Sequence, residues 1–460
     1  MNRRAFLEVA ASGVLGGAWY QARAQSQKPN VIFILADDLG YGDLGCYSSR
    51  IPTPNLDRMA SEGIRFEQFC STSSVCTPSR AGLLTGRYPN RIGLEGILFP
   101  DDDRGIPASE TTIGQMLKGA GYQTMCVGKW HLGSRPEYLP TNRGFDEYFG
   151  IPYSNDMTPR LLMRNTEILE QNCRLDTLTQ RYTEEAVGFI KRAKDRPFFL
   201  YFPHTFPHIP LAASSRFRKK SKVGLYGDSI MEMDWSVGEV LKTLAENNLD
   251  ENTLIMFSSD NGPWYQGSPG ELRGRKGDTW EGGMRVPFIA RWKYRIPGGR
   301  VTSAFASTLD ILPTVGRLAG AQLPAQPLDG VDIWPLLSND EHVHRDVFLY
   351  FDGFDLQCAR VDRWKLHVAR YNSRSWSPEP VGGRLNLPLW QPELYDLVED
   401  PEETADVSED NPGIVKEILG HIERALPTFP GRVLAQWQDT MRRKVHYHPA
   451  GALPVENKTS

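Results

Sequence analysis

Cysteine is scarce in this chain, with six in 460 residues, too few to be the covalent framework of a fold this long. They are Cys46, Cys70, Cys76, Cys126, Cys173 and Cys358; setting Cys76 aside leaves an odd five, so at most two disulfides can form, and sequence alone cannot pair them. No set of thiolates and imidazoles suited to zinc is present either. Positive charge is not in surplus: 52 Lys and Arg stand against 56 Asp and Glu, a net charge of −4. A mildly acidic surface gives no footing for nucleic acid. Internal repeats and low-complexity tracts are missing, and with 40% hydrophobic and 23% charged residues the composition is that of an ordinary globular protein.

A membrane-spanning run is also lacking. Residues 5–18 are apolar but too few to cross a bilayer. Preceded by Arg3-Arg4 and followed by the small-x-small site Ala22-Arg23-Ala24, they read as an export signal over residues 1–24. The paired arginines with Ala5-Phe6-Leu7 resemble a twin-arginine signal, although Asn2 and Glu8 depart from the usual flanks. No Cys follows the cleavage site, which argues against a lipid anchor. Losing this segment removes three Arg and one Glu, so the charge falls from −4 to −6. The expected location is periplasmic or secreted.

What remains is long enough for one large α/β domain over residues 28–340 and a smaller α+β one over 341–460. Residues 31–36 are continuously apolar, as in a central strand covered on both faces, and the run ends in Asp37-Asp38. Adjacent carboxylates at a strand's carboxyl end repel unless a cation lies between them, and hard cations take carboxylate oxygens. A second such end recurs: a strand over 253–257 delivers Ser259-Asp260-Asn261-Gly262. Between them, Cys76-Thr77-Pro78-Ser79-Arg80 opens an apolar helical run, placing Cys76 where free N–H groups favour an anion, with Arg80 one turn on and able to reach the same anion. The strand 123–127 ends in Gly128-Lys129-Trp130-His131, and alternation along extended backbone would set Lys129 and His131 on one side. The buried strand 197–202 exits into a segment carrying His204 and His208. Residues 144–156 are dense in turn formers and aromatics, as is the Trp- and Pro-rich loop 371–392. Amphipathic helices are expected over 179–193 and 228–246.

The Cys-x-Pro-Ser-Arg stretch with the following Leu84-Thr85-Gly86-Arg87 resembles the signature of the type I sulfatases, in which this Cys is oxidised to formylglycine. Residues 274–287, with Lys276, resemble that family's second signature. The likeness runs over residues 29–410 and points to the arylsulfatase A and N-acetylgalactosamine-6-sulfatase branch. It implies an alkaline-phosphatase-like α/β fold: a large mixed sheet flanked by helices, with a smaller C-terminal α+β domain. It also implies hydrolysis of sulfate monoesters, of sulfated saccharides and aryl sulfates, after activation by a formylglycine-generating maturation enzyme. By the same resemblance Asp37, Asp38, Asp260 and Asn261 with the modified Cys76 form a Ca²⁺ shell. Arg80, Lys129, His131, His208 and Lys276 form the sulfate cage, His208 as the acid, with His204 and Asn155 as further substrate contacts. The competing readings are a phosphonate monoester or phosphodiester hydrolase of the same fold, and a silent sulfated-glycan binder.

Overall fold

The computed structural model describes residues 28–373, 376–380 and 382–443, so the export segment expected over residues 1–24 lies outside it. Strands in chain order are β1 (Asn30–Ala36), β2 (Ile64–Phe66), β3 (Phe69–Cys70), β4 (Gln123–Val127), β5 (Glu147–Gly150), β6 (Leu162–Arg164), β7 (Glu167–Glu170), β8 (Phe198–Pro203), β9 (Thr253–Ser259), β10 (Phe288–Arg291), β11 (Arg300–Thr302), β12 (Ala306–Ser307), β13 (Phe348–Asp352), β14 (Asp355–Val361), β15 (Trp364–Tyr371) and β16 (Asn386–Asp396). Ten of them make one mixed sheet in the order β11-β2-β10-β9-β1-β8-β4-β5-β6-β7. β1 sits in its middle, parallel to both β8 and β9.

All seven residues of β1 are buried, because both faces of the sheet are covered. Val31, Phe33 and Leu35 point into one apolar layer, shared with Leu84 of the helix Cys76–Thr85, Leu117 of Ile113–Gly119 and Leu312 of Ile311–Ala319. Ile32, Ile34 and Ala36 enter the other, with Met59 of Pro54–Ser61, Phe189 of Leu178–Ala193 and Val237 of Gly224–Glu246. The period-two alternation of the strand therefore holds two helical layers on opposite faces. Local chemistry agrees: Thr112 accepts from Gln115 N at 3.1 Å while Gln115 Oε1 accepts from Thr112 N at 3.0 Å, a reciprocal cap that starts Ile113–Gly119.

Register decides where the strands stop. Leu35 is opposite Pro203 of β8, and Ala36 is opposite Ser259 of β9. The segments that follow these three strands thus leave the sheet side by side, which is the ligand-binding edge of open α/β sheets.

The C-terminal portion is a four-stranded antiparallel sheet, β13-β14-β15-β16, packed with the helices Pro412–Ala425 and Gly431–Arg442 through Ile418, Ile422 and Val433. Two expectations change here. Much of the end of the expected loop 371–392 is strand β16, whose Pro388 and Pro392 had disguised it. β16 is an edge strand, where a missing N–H costs no ladder bond. Likewise the middle of residues 144–156 is β5, parallel to β4. All six cysteines are free.

Candidate active site

Asp37 and Asp38 leave β1 with their side chains buried. Cys76 begins the helix Cys76–Thr85, where Val75 at the N-cap offers no side-chain hydrogen bond to the first turn, leaving its leading N–H groups available to an anion. The Cys76 Sγ is 3.5 Å from Asp37 Oδ1 and 3.5 Å from Lys276 Nζ. Lys276 Nζ in turn donates to Asp38 Oδ2 at 2.8 Å. Lys129 Nζ sits 2.6 Å from Asp37 Oδ2 and donates to Ser154 Oγ at 3.1 Å. His208 Nε2 is 3.7 Å from Asp38 Oδ2, while its Nδ1 bonds the Ile209 carbonyl. Oxygen, sulfur and nitrogen ligand atoms of Asp37, Asp38, Cys76 and His208 all fall within 4.8 Å of one another.

The turn after β4 explains how Lys129 arrives. Gly128 has φ of 128°, and a Cβ there would sit 1.7 Å from the Pro203 carbonyl oxygen. Only glycine permits the approach, and Lys129 N then bonds Pro203 O at 2.8 Å. The expected strand-like alternation of Lys129 and His131 is corrected: β4 ends at Val127, and His131 adopts φ of 58°. A turn, not extended backbone, brings the two together. His131 Nε2 meets the Leu98 carbonyl at 2.9 Å, and Nδ1 is buried without a partner. Burial, with Lys129 and Arg80 nearby, keeps this ring neutral, well below the usual imidazole range.

Arg80 is fully buried and lies behind the carboxylates. Its Nε and Nη2 grip Asp260 Oδ2 at 3.0 and 2.8 Å, its Nη2 is 3.5 Å from Asp37 Oδ2, and its Nη1 bonds the Lys129 carbonyl at 2.8 Å. Arg80, expected at the anion, thus has its fork on acids in this structure. Asp260 Oδ1 accepts from Asp38 N at 3.1 Å, and Asn261 Nδ2 donates to Asp38 Oδ1 at 2.8 Å. Asn261 Oδ1 is buried with no partner.

The electrostatics are those of a compressed charge cluster. Burial pushes the Asp37 carboxyl up, but Lys129, His208, Arg80 and Lys276 outweigh it and hold it well below the usual carboxylate range. Burial, reinforced by the Asp37 charge, drives Asp260 the other way. Burial also raises the Cys76 thiol far above its ordinary value, so as a thiol it is protonated and a poor nucleophile at neutral pH. Lys129 and Lys276 are burdened by burial yet kept charged by Asp37 and Asp38 respectively.

Two further expected substrate contacts are His204 and Asn155. His204 is fully buried, its ring tilted against Phe202 at 4.3 Å between ring centroids, with both ring nitrogens unpartnered. Burial alone, with no charge bearing on it, lowers its pKa to about 3. Asn155 donates to the carbonyls of His208 and Pro210, each at 3.3 Å, and so ties down the His208 segment. Its neighbour Ser154, the actual partner of Lys129, was not singled out in sequence. In an irregular loop neither periodicity nor residue type distinguishes the two.

A second buried charge cluster also escaped the sequence. Glu281, in the loop that carries Lys276, receives Lys365 Nζ at 3.0 Å and Arg285 Nε at 2.7 Å. Lys365, on β15, also bonds the Thr279 carbonyl at 2.8 Å and lies 2.9 Å from Glu403 Oε1, which His367 Nε2 meets at 2.7 Å. Glu403 Oε2 accepts from Glu281 N at 2.7 Å. The small sheet thereby grips the backbone of the Lys276 loop. From its other side, Gly277 N bonds the Ser74 carbonyl at 3.0 Å, just ahead of Cys76.

The stretch that carries the buried acids Asp37, Asp38 and Asp260, the two lysines and the cysteine at the helix start, residues 29–321, matches the family model for the sulfatases. The chain belongs to the sulfatase family. As a member it is a sulfuric ester hydrolase. It is 41% identical over 398 residues to the N-acetylgalactosamine-6-sulfatase of Canis lupus familiaris, covering 79% of this chain and 76% of the relative. It is 37% identical over 439 residues to Homo sapiens arylsulfatase A, covering 86% of each. Among solved structures, Ps i-CgsB in complex with k-i-k-neocarrahexaose superposes with a TM-score of 0.76 at 30% identity, covering 91% of this sulfatase and 98% of that chain. The phosphonate monoester hydrolase of Agrobacterium radiobacter shares the fold alone, at 19% identity and a TM-score of 0.59 over 89% of this chain and 96% of the other.

Proposed function

We propose that this sulfatase hydrolyses sulfate monoesters of carbohydrates, with residue 76 acting as formylglycine and a calcium ion held by Asp37, Asp38, Asp260 and Asn261. The observation that carries the reading is the convergence of Cys76 with buried acids on one side and Lys276 on the other. Calcium suits the donors: they are hard oxygens, and the buried carbonyl oxygen of Asn261 has no partner. Bound there, the ion would supply positive charge to the anionic group and to the hydroxyl that attacks it. Three carboxylates (Asp37, Asp38, Asp260) face three permanent cations (Arg80, Lys129, Lys276) through direct ion pairs. The protein alone is therefore close to neutral, and a divalent cation entering with a monoanionic sulfate ester leaves one positive charge beside the sulfur.

The thiol is unsuited to the task. Oxidised to the aldehyde and hydrated, residue 76 carries two hydroxyls, one to attack sulfur and one to lose a proton and expel sulfate. The chain's other residues bind and orient. Lys129, beside Asp37 and Ser154, and Lys276, beside Asp38 and residue 76, hold sulfate oxygens. Arg80 holds Asp37 and Asp260 in place and so acts through them. His131 presents an unpartnered Nδ1 from a ring kept neutral, suited to accept a hydrogen bond. His208, whose Nδ1 is fixed on Ile209, offers Nε2 to the leaving oxygen. His204 is given a core role and Asn155 a positioning one. Maturation by a formylglycine-generating enzyme, export by way of residues 1–24, and a domain boundary near residue 340 belong to the same reading. The test is sulfate release from a panel of sulfated saccharides, alongside 4-nitrophenyl sulfate and a phenylphosphonate ester. Preference for the phosphonate ester would overturn the reading.

A further inference from the structure

Beside the Lys276 loop lies a cavity of about 460 Å³, walled by residues of the 265–280 segment and by β14, β15 and the residues that follow β15. Lys276 is on its wall; Cys76 is not. The cavity therefore begins within the length of one lysine side chain from the nucleophile. Among the described residues its lining carries five cationic side chains, Arg273, Arg275, Lys276, Arg370 and Arg384, against one carboxylate, Asp278. Three of the five have acid partners: Lys276 with Asp38 at 2.8 Å, Arg370 with Glu393 at 2.7 Å and Arg384 with Asp352 at 2.9 Å.

Arg273 and Arg275 are held differently. Arg273 donates to the Glu403 carbonyl at 3.1 Å and lies 3.8 Å from the centre of the Trp280 ring. Arg275 donates to the carbonyls of Gly267 and Trp264, at 2.6 and 3.2 Å. Carbonyls and a ring face orient a guanidinium without neutralising it, leaving a preformed fork for a carboxylate or sulfate. Nearby, Trp264 packs edge-on against Tyr265 and Trp376, at 4.9 and 5.6 Å between centroids, and the latter two are 62% and 55% exposed. Large aromatics left in water beside a polar cavity suit the apolar face of a sugar ring. A wholly apolar sulfate ester would leave the guanidinium charges unanswered.

We propose that this cavity is a second anion subsite: it takes the saccharide unit adjoining the cleaved sulfate ester and binds, through Arg273 and Arg275, a carboxylate or second sulfate on that unit. The inference rests on the reading of residue 76 as the site of sulfate ester cleavage. Four substrates test it: 4-nitrophenyl sulfate, a monosulfated neutral disaccharide, the same disaccharide with a uronic acid as its second unit, and the same with a second sulfate there. The wild-type enzyme should favour an acidic disaccharide over the neutral one in kcat/KM by about ten- to a hundredfold, the worth of hydrogen bonds to a charged group. Which acidic substrate is favoured identifies the anion. The preference should fall to near parity in the Arg273→Ala/Arg275→Ala variant, and in the wild type it should shrink with added salt. Wild-type parity, a salt-independent preference, or a preference that survives the double substitution would overturn the subsite. If the wild type instead releases no sulfate from any of the four, the reading of residue 76 fails and the subsite with it.

Discussion

If His208 protonates the departing oxygen, its worth must depend on how badly the leaving group needs a proton. The Nδ1–H of His208 is held by the Ile209 carbonyl, so only the imidazolium has a proton to give, the one on Nε2, the nitrogen that faces Asp38 at 3.7 Å. Burial lowers the pKa of this ring, whereas Asp38 and Asp37 raise it. Burial prevails, so the resting ring is neutral, and the second proton, once taken up on Nε2, is weakly held and readily given to an alkoxide. A nitrophenolate leaves almost unaided; a sugar alkoxide does not. General-acid help is worth about 10²- to 10⁴-fold where it is needed, or about 3 to 5 kcal/mol of barrier at 1.36 kcal/mol per tenfold. His208→Ala should therefore lose about two to four powers of ten in kcat/KM on a sulfated sugar, and far less on 4-nitrophenyl sulfate. The quantity to read is the ratio of the two losses, which cancels damage to folding or sulfate binding. Lys129→Ala is the control: its ammonium touches Asp37 and Ser154, so both substrates should suffer alike. Equal losses in His208→Ala would show that His208 holds sulfate, and the acid role would pass to Lys276.

Three further outcomes are expected. Mass spectrometry of the peptide spanning residues 66–87 should find formylglycine at position 76 in active enzyme, and full activity with the sulfur retained would refute the nucleophile. Calcium should raise the Tm of the wild type and bind at about one equivalent, whereas Asp38→Asn should lose both effects; an unchanged calcium response in the variant would remove Asp38 from the shell. The buried ring of His204 predicts acid lability. Its folded pKa is depressed from 6.5 to about 3, so below pH 6.5 the unfolded chain takes up a proton that the folded chain refuses. Its share of stability is whole above that range and declines with falling pH by about 1.4 kcal/mol per pH unit. His204→Phe should therefore narrow the gap in urea midpoint between pH 7 and pH 5 while sparing activity, and an undiminished gap or lost activity would contradict the core assignment.

Much of the sheet and of the acid shell was legible because each signal was local. A run of six apolar residues ending in two acids states both its burial and its exit, and Cys-x-Pro-Ser-Arg announces a helix start. What escaped was what only packing decides. Arg80 lies one turn from Cys76 as helical spacing requires, but the spacing does not reveal that Asp260, 180 residues on, would occupy its fork. Ser154 and Asn155 differ by one position in a loop without period. β16 carries two prolines that argue for a loop until its place at a sheet edge is known. His204 and His208 share a segment, and only the surrounding layer shows that one ring enters the core.

The grip of Lys365 and Glu403 on the Lys276 loop bears on how this enzyme can be shortened. The stretch matching the family model ends at residue 321, which invites the notion of a minimal catalytic piece. Such a piece would keep Arg285 on Glu281 but lose Lys365, together with the small sheet that packs over this joint. The Thr279 carbonyl would lose its donor as well. A fragment ended at 321 or 340 should fold poorly or hold Lys276 loosely, and supplying the missing part as a separate chain should restore activity only insofar as that joint re-forms. Gene duplication or fusion that exchanged the C-terminal part alone would face the same constraint, so the two parts are bound to change together.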